Sequence, residues 1–360
     1  MRKILLRLHL VLALAASALL LVLGSTGAVM AFEEPLHVLF HPSWHHIAPA
    51  EGPRLPIAAV VRVVAQRYPG ETIAAVYFPN APGRSTTVRT ARRVVFVNAY
   101  SGEILGAEDG LDVLAFIHQV HLRLVPGLRS PAVTTALGMA SISLFALVLS
   151  GYALWWRQRR VTMSGGAGAF RRSFDLHQVG GFWSGLFLLV SSATGAALAW
   201  DAPLLARLLA ASGGAPPART APSKPRPGSA ITPERAIEIA AAALPDAAPI
   251  GISWPRADTD SYDVRMHFPE DRTPGGRSWV SVDRYGGEVL LLHSARTAPA
   301  AIRGMTLVRG LHTGDVFGTP SRILFSLSSL LLVLQTVTGL VMWRARPRAR
   351  AEGIRMRKTA

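Results

Sequence analysis

Four of the eleven histidines in this 360-residue sequence stand where paired imidazoles could grip a metal. His9 and His177 lie at the start of long apolar runs, and His121 and His312 precede two others. If the two halves of the chain are related by a twofold axis, the four make two layers, each with two symmetry-related rings. Two imidazoles facing each other across such an axis suit a six-coordinate haem, whose iron takes one nitrogen from each face. A mononuclear zinc site would want three or four ligands gathered together, which two per layer do not provide. Ionisable side chains repeated at the ends of apolar helices read as functional. The expected ligands are therefore His9 with His177 and His121 with His312. His118 is the alternative to His121, three positions earlier on the same helix face. His121 is preferred because it aligns with His312, whereas Arg309 stands in the place of His118.

The remaining histidines carry a weaker signal. His37, His41, His45 and His46 cluster after the first apolar run, and Pro42 interrupts any helix there, so an exposed loop is expected. His267 and His293 are expected on a surface or an edge strand.

The elements that would position the four ligands are legible from hydropathy. Only 17% of residues are charged, against about a quarter in a soluble protein, and the mean hydropathy is positive. Four stretches without internal charge approach or exceed the ~20 apolar residues of a spanning helix: Leu8–Phe32, Val133–Trp156, Gly181–Trp200 and Ile323–Trp343. Three end in tryptophan and one in phenylalanine, consistent with rings at the headgroup level.

Basic residues set the orientation. Arg2, Lys3 and Arg7 precede the first stretch, and Arg157, Arg159, Arg160, Arg171 and Arg172 lie between the second and third. Arg344, Arg346, Arg348, Arg350, Arg355, Arg357 and Lys358 follow the fourth. With four spans all three clusters fall on one side, which makes that side, and both termini, cytoplasmic. The net charge of +16 is thus explained by the membrane, and no nucleic-acid partner is expected. With no cysteine there is no disulfide, no thiolate metal site and no covalent haem attachment through C-x-x-C-H.

The chain repeats itself. A constant shift of 168 residues pairs Leu8 with Leu176, His9 with His177, and Thr26-Gly27-Ala28 with Thr194-Gly195-Ala196. His121 corresponds to His312, and Ser150-Gly151 to Thr338-Gly339. Between the spans, Val97–Leu105 matches Val282–Leu290, each a strand, a glycine turn and a strand. Helical spacing runs over Ile57–Tyr68 and Pro233–Leu244, the latter capped by Thr232, and Ser261–Phe268 alternates as a strand. Each half is therefore helix, small α+β domain, helix, and the two halves enter the membrane in parallel. This argues against reading residues 1–32 as a cleaved signal peptide.

The chain then divides into a first span (1–32), an outer domain (33–117), a His-bearing segment with the second span (118–156) and a cytoplasmic loop (157–176). A third span (177–200), a linker and second outer domain (201–310), a His-bearing segment with the fourth span (311–343) and a basic tail (344–360) follow. The Pro-, Ala- and Ser-rich linker Ala215–Ser229 is expected to lack fixed structure.

Leu8-His9 with Thr26-Gly27, Leu176-His177 with Thr194-Gly195, and Leu311-His312-Thr313-Gly314 through Thr338-Gly339 resemble the PepSY-associated transmembrane family. That family includes iron-regulated membrane proteins and ferric-siderophore reductases. Ile231–Leu291 looks like a PepSY domain and Leu55–Leu105 like a diverged one. The resemblance implies a membrane all-α four-helix bundle of two pseudo-twofold-related helix pairs, carrying two small α+β PepSY-like domains outside the cytoplasm. It also implies haem b, two per chain, within the bundle. Electrons would cross the bacterial inner membrane from a cytoplasmic reductase, reduced flavin or quinol to a periplasmic ferric chelate or siderophore.

Three rivals are distinguishable: a PepSY-based binding or regulatory protein without redox activity, a transporter, and a haem protein with another acceptor. No acidic residue lies inside the four stretches, which disfavours proton or cation coupling. Gly165-Gly166-Ala167-Gly168 sits between spans rather than after a strand, so it does not bind a dinucleotide. The outer domains offer no nucleophile–base pair and no catalytic carboxylate dyad.

Overall fold

A computed structural model describes residues 1–48, 52–79, 81, 83–109, 112–156, 163, 168–215, 217–218, 220–226, 228, 230–273 and 275–359, with side chains up to residue 345. In chain order the helices are α1 (Arg2–Met30), α2 (Glu33–Phe40), α3 (Pro42–His45), α4 (Ile57–Arg67), α5 (Val113–Arg123) and α6 (Pro131–Trp156). They continue as α7 (Ala169–Ala199), α8 (Asp201–Ala211), α9 (Pro233–Ala243), α10 (Ala300–Thr313) and α11 (Thr319–Thr359). The strands are β1 (Ile73–Tyr77), β2 (Thr86–Thr90), β3 (Val94–Val97), β4 (Ile104–Glu108), β5 (Ala248–Ser253), β6 (Tyr262–His267), β7 (Ser278–Val282) and β8 (Val289–His293). The chain forms two compact units. One holds residues 1–32, 117–204 and 307–360, and the other 33–116 and 205–306.

In the first unit, α1, α6, α7 and the Thr319–Ala345 part of α11 are long and apolar enough to cross a membrane. Helices α1 and α7 each pack against both α6 and α11. Ala16 and Leu20 of α1, Leu144 and Leu147 of α6, Leu188 of α7 and Leu332 of α11 meet in one buried cluster. Outward-facing positions such as Leu149, Leu186 and Leu330 stay exposed on the protein, as lipid-facing side chains do.

Two expectations change here. Helix α7 begins at Ala169 rather than near Gly181, so His177 sits within it, and Arg171 pairs with the buried Asp175 one turn on. An acidic residue therefore does lie in one of the four long helices, although before its apolar stretch. His121 and His312 are carried by separate helices, α5 and α10, rather than by the starts of α6 and α11. The chain breaks after α5 at Leu124 and Gly127, and after α10 at Gly314 and Gly318, all with positive φ. The loop arginines 157, 159 and 160, Gly165–Ala167 of the glycine run and the side chains of the basic tail from 346 lie outside the described residues.

In the second unit the alternation read from sequence becomes one antiparallel sheet, ordered β4-β3-β2-β1-β5-β6-β7-β8. The expectation of two separate outer domains is thus corrected: the edge strands of the two half-sheets, β1 and β5, pair through Ala75–Ser253, Val76–Ile252 and Tyr77–Gly251. An unpaired edge would leave backbone donors and acceptors unmet, and the partner half meets them. Helices α4 and α9 contribute to one core with the sheet, from Val60, Val61 and Val64 to Ala236, Ala240, Val264 and Val280. Glu234 of α9 also accepts from the Ile57 N–H that opens α4, at 2.6 Å. Thr232 caps α9 as expected, accepting from Arg235 N–H.

Ser223 of the proline-rich linker is pinned rather than free. Its N–H donates to the Thr259 carbonyl and its hydroxyl accepts from Arg284 N–H.

Ile252, 1% exposed at the seam, offers a test of this continuity. Ile252→Ala is expected to cost about 2–5 kcal/mol and to raise amide exchange in β3 and β7 together. Faster exchange on the β5–β8 side alone would mean two independently stable halves.

Candidate functional site

The two histidine layers both assemble within the first unit. The rings of His9 on α1 and His177 on α7 have centroids 6.4 Å apart, with planes at 81°. Those of His121 on α5 and His312 on α10 are 6.3 Å apart, at 49°. His118 lies one turn earlier on α5, and it is His121 that meets His312. A metal bound to an imidazole nitrogen lies about 2.0 Å from it, so one metal shared by two rings sets their centroids about 6 Å apart. Both spacings meet that requirement.

What aims each ring is a hydroxyl–glycine pair on a neighbouring helix. Ser150-Gly151 faces His9, Thr338-Gly339 faces His177, Thr26-Gly27 faces His121 and Thr194-Gly195 faces His312. In each pair the hydroxyl proton goes to a carbonyl of its own helix. Ser150 donates to Leu147 O at 3.0 Å, Thr26 to Val22 O at 2.7 Å, Thr194 to Val190 O at 2.6 Å and Thr338 to Leu334 O at 2.7 Å. The same oxygens lie 2.8, 2.9, 3.0 and 3.1 Å from the Nδ1 atoms of His9, His121, His312 and His177.

A hydroxyl has one proton to give, so with that proton on the carbonyl the imidazole Nδ1–H donates to the hydroxyl oxygen. For two rings the assignment is independent of the hydroxyl: His177 Nδ1 also lies 3.1 Å from the Gln335 carbonyl, and His312 Nδ1 3.1 Å from the Ser191 carbonyl, acceptors only. All four rings are thereby held as the tautomer whose Nε2 carries a lone pair, the arrangement that prepares a histidine to ligate a metal.

The glycine of each pair lies against the ring, and at Gly27 and Gly195 a side chain would crowd it. A Cβ on Gly195 would stand 3.1 Å from His312 Cε1, and one on Gly27 3.3 Å from His121 Cε1. At Gly151 and Gly339 the corresponding distances to His9 and His177 are 3.8 and 3.6 Å.

His9 and His177 line a cavity of about 380 Å³ with Tyr152, Trp155, Phe174, Phe182 and Arg2. That is the size of a cofactor or small-ligand pocket. Its wall is apolar, yet it holds two buried side-chain nitrogens without a hydrogen-bond partner, Trp155 Nε1 and Gln335 Nε2. Buried donors are ordinarily satisfied, so the cavity suits a largely apolar molecule with acceptor groups at its rim. A planar tetrapyrrole with carboxylate side groups has that character, and the donor set fits it.

The four paired histidines were readable from the repeat, and so were the Ser/Thr-Gly pairs as repeated residues. The contact between the two sets was not, because each hydroxyl lies between 95 and 161 residues from its histidine. Elsewhere the histidine cluster departs from expectation. His37 is 8% exposed and sits on α2 rather than in an exposed loop. Helical structure is interrupted at Pro42 as expected, α2 ending at Phe40, and Pro42 then opens the short α3, because proline at a first helical position lacks an N–H that would be unsatisfied anyway. His293 lies on the edge strand β8, as expected, though buried against Trp279 at 3.9 Å between centroids. His267 is on the interior strand β6.

No curated protein matches the sequence. A family model described as the PepSY-associated TM region matches residues 6–346, a range that holds all four long apolar helices, the four paired histidines and their hydroxyl–glycine partners. The chain is a multi-pass membrane protein that belongs to the PepSY-associated transmembrane family.

Proposed function

We propose that this chain is a haem b electron-transfer protein of the bacterial inner membrane, of the ferric-siderophore reductase type. The observation that carries the reading is the paired imidazoles: two layers, each with two Nε2 lone pairs prepared and ring centroids at a one-metal spacing. His9 with His177 would hold one haem and His121 with His312 the other, so that bound haem supplies one-electron carriage at each end of the four-helix bundle. The protein's own part is placement and environment. Hydroxyls fix the ring tautomers, glycines admit the rings, and the apolar wall excludes water, which tunes a haem potential.

The depth of the layers supports a transmembrane path. Gly27, which receives His121, follows His9 on α1, and Gly195, which receives His312, follows His177 on α7, each by 18 positions. That is about 27 Å of helix at ~1.5 Å per residue, close to the ~30 Å hydrocarbon core. Arg2, Lys3, Arg7, Arg171, Arg172 and Arg344 all lie toward the His9–His177 end of their helices, which supports reading that end as cytoplasmic. Electrons would enter there from a reductase, a reduced flavin or a quinol, and leave outside to Fe(III) in a chelate or siderophore. The acceptor iron gains one electron, and the softer, less charged Fe(II) is held weakly by hard oxygen donors, so reduction releases it.

The test is an absorption spectrum of detergent-purified protein before and after dithionite, followed by mixing with ferric chelates. Two low-spin haems per chain and chelate-dependent reoxidation are expected. A colourless protein would overturn the haem reading and leave a binding or regulatory role. Failure of every chelate to reoxidise the reduced protein would overturn the reductase assignment alone.

A further inference from the structure

A second constellation of metal-binding groups lies in the sheet unit. His37 of α2, His41 ahead of α3 and Asp112 ahead of α5 bring one ligand atom each to within 4.8 Å of one another. Glu108, the last residue of β4, stands beside the group: its Oε2 lies 3.4 Å from His37 Nε2, and within the group Asp112 Oδ2 lies 3.6 Å from His41 Nε2. These separations are longer than an N–H···O hydrogen bond. They match the edge of a tetrahedral site, since ligands about 2.0–2.1 Å from one metal stand ~3.4 Å apart.

We propose that His37, His41, Glu108 and Asp112 form a site for a divalent first-row cation, of zinc type. The reading does not rest on haem or on reductase activity. His37 carries it furthest. The residue is 8% exposed, and its buried Nε2, close to the Glu108 carboxylate, makes no hydrogen bond among the described residues. Its Nδ1 lies 2.6 Å from His45 Nε2. With Nδ1–H donating to His45, Nε2 faces Glu108, and a positive charge, as a proton on Nε2 or as a metal cation between the two groups, is what holds them together. A ligating histidine whose other nitrogen donates to a neighbour is the usual outer-shell arrangement of a metal site.

The rings are held in place. His37 stacks on Phe96 at 5.4 Å and His41 on Trp44 at 4.0 Å between centroids. Trp44 in turn lies on Gly106 of β4, where a Cβ would overlap the indole. Asp112 uses Oδ1 to accept from Leu114 N–H, at 2.8 Å, at the start of α5, which leaves Oδ2 for a metal. The His41 side chain is 30% exposed, so an ion can reach the cluster from solvent. Two imidazoles with two carboxylates favour zinc-like ions over magnesium or calcium, which take oxygen ligands.

The experiment is zinc titration of full-length, tag-free protein in detergent after removal of metal by a chelator, read by calorimetry and by competition with a chromophoric zinc chelator. One equivalent of zinc is expected to bind in the micromolar range or tighter, undisturbed by millimolar magnesium. Asp112→Asn keeps the oxygen that caps α5 and removes the charge, and His41→Ala removes a partly exposed ring. Each should weaken zinc binding by about tenfold or more, whereas His267→Ala should not. Metal-free thermal midpoints close to that of the unaltered protein report that both variants fold. Absence of a one-equivalent site, or an affinity undiminished in either folded variant, overturns the proposal. If one variant fails to fold, the other decides alone.

Discussion

Purified His312→Ala protein is expected to lose about half of its low-spin haem absorbance, and His121→Ala the same half. Both side chains would serve one iron, and with no cysteine to tether the porphyrin a layer that has lost one axial imidazole no longer makes a six-coordinate low-spin centre. The layer formed by His9 and His177 stands about 27 Å of helix away and shares no ligand with it, so its spectrum should persist. Combining the substitutions gives the sharper test. Residues that act on one centre are strongly non-additive, whereas distant, independent sites add. The His121→Ala/His312→Ala double variant should therefore match either single variant, and His9→Ala/His312→Ala should retain no low-spin haem. Redox spectra of equal amounts of folded protein, judged by elution volume, supply the measurement. A single substitution that abolished both signals, or a double within one layer that lost more than its singles, would show that the pairs do not ligate as assigned.

Much of this arrangement was legible because the relevant signals are local or repeated. Apolar length marks α1, α6, α7 and α11, and Thr232 with Pro233 marks the start of α9. The Val97–Leu105 and Val282–Leu290 stretches contain the turns between β3 and β4 and between β7 and β8. There Asn98 and Asp283 accept backbone N–H groups two residues on, and Gly102 and Gly287 take positive φ. The shift of 168 paired His9 with His177, and the correspondence of the second and fourth spans paired His121 with His312.

What stayed hidden was the identity of partners far apart in sequence. Alternation says which face of β1 or β5 is apolar, but not that each strand's free edge meets the other's. Pro42 was read as interrupting helical structure, which it does after Phe40, but the same residue also opens α3 and the segment around it packs. That difference brings the His37 cluster from an exposed loop to a packed position. The boundary errors are physical too. Hydropathy ends where charge begins, while the α7 backbone continues through Arg171 and Asp175, whose pairing one turn apart supports the helix.

The glycines beside the imidazoles yield the second large effect, one that leaves every histidine in the sequence. Gly195→Val is expected to remove the same half of the low-spin absorbance as His312→Ala, whereas Gly339→Ala should leave both haems bound. The asymmetry follows from clearances. A Cβ at Gly195 would stand 3.1 Å from His312 Cε1 and 3.0 Å from Ser141 Oγ, so even one methyl group presses on both neighbours, and the branches of valine have no room beyond it. The ring cannot swing aside and keep its partners, because Nδ1 is tied to Thr194 and to the Ser191 carbonyl. At Gly339 the nearest atom of His177 is 3.6 Å away, ordinary van der Waals contact, so alanine fits. Helix propensity pulls weakly the other way, since valine and alanine are both better helix formers than glycine, so any loss at Gly195 comes from the crowded neighbours, His312 and Ser141, and not from the helix itself. Full two-haem absorbance in Gly195→Val would mean that the ring does not need the space glycine leaves, and the hydroxyl–glycine pair would lose its role in seating the ligand.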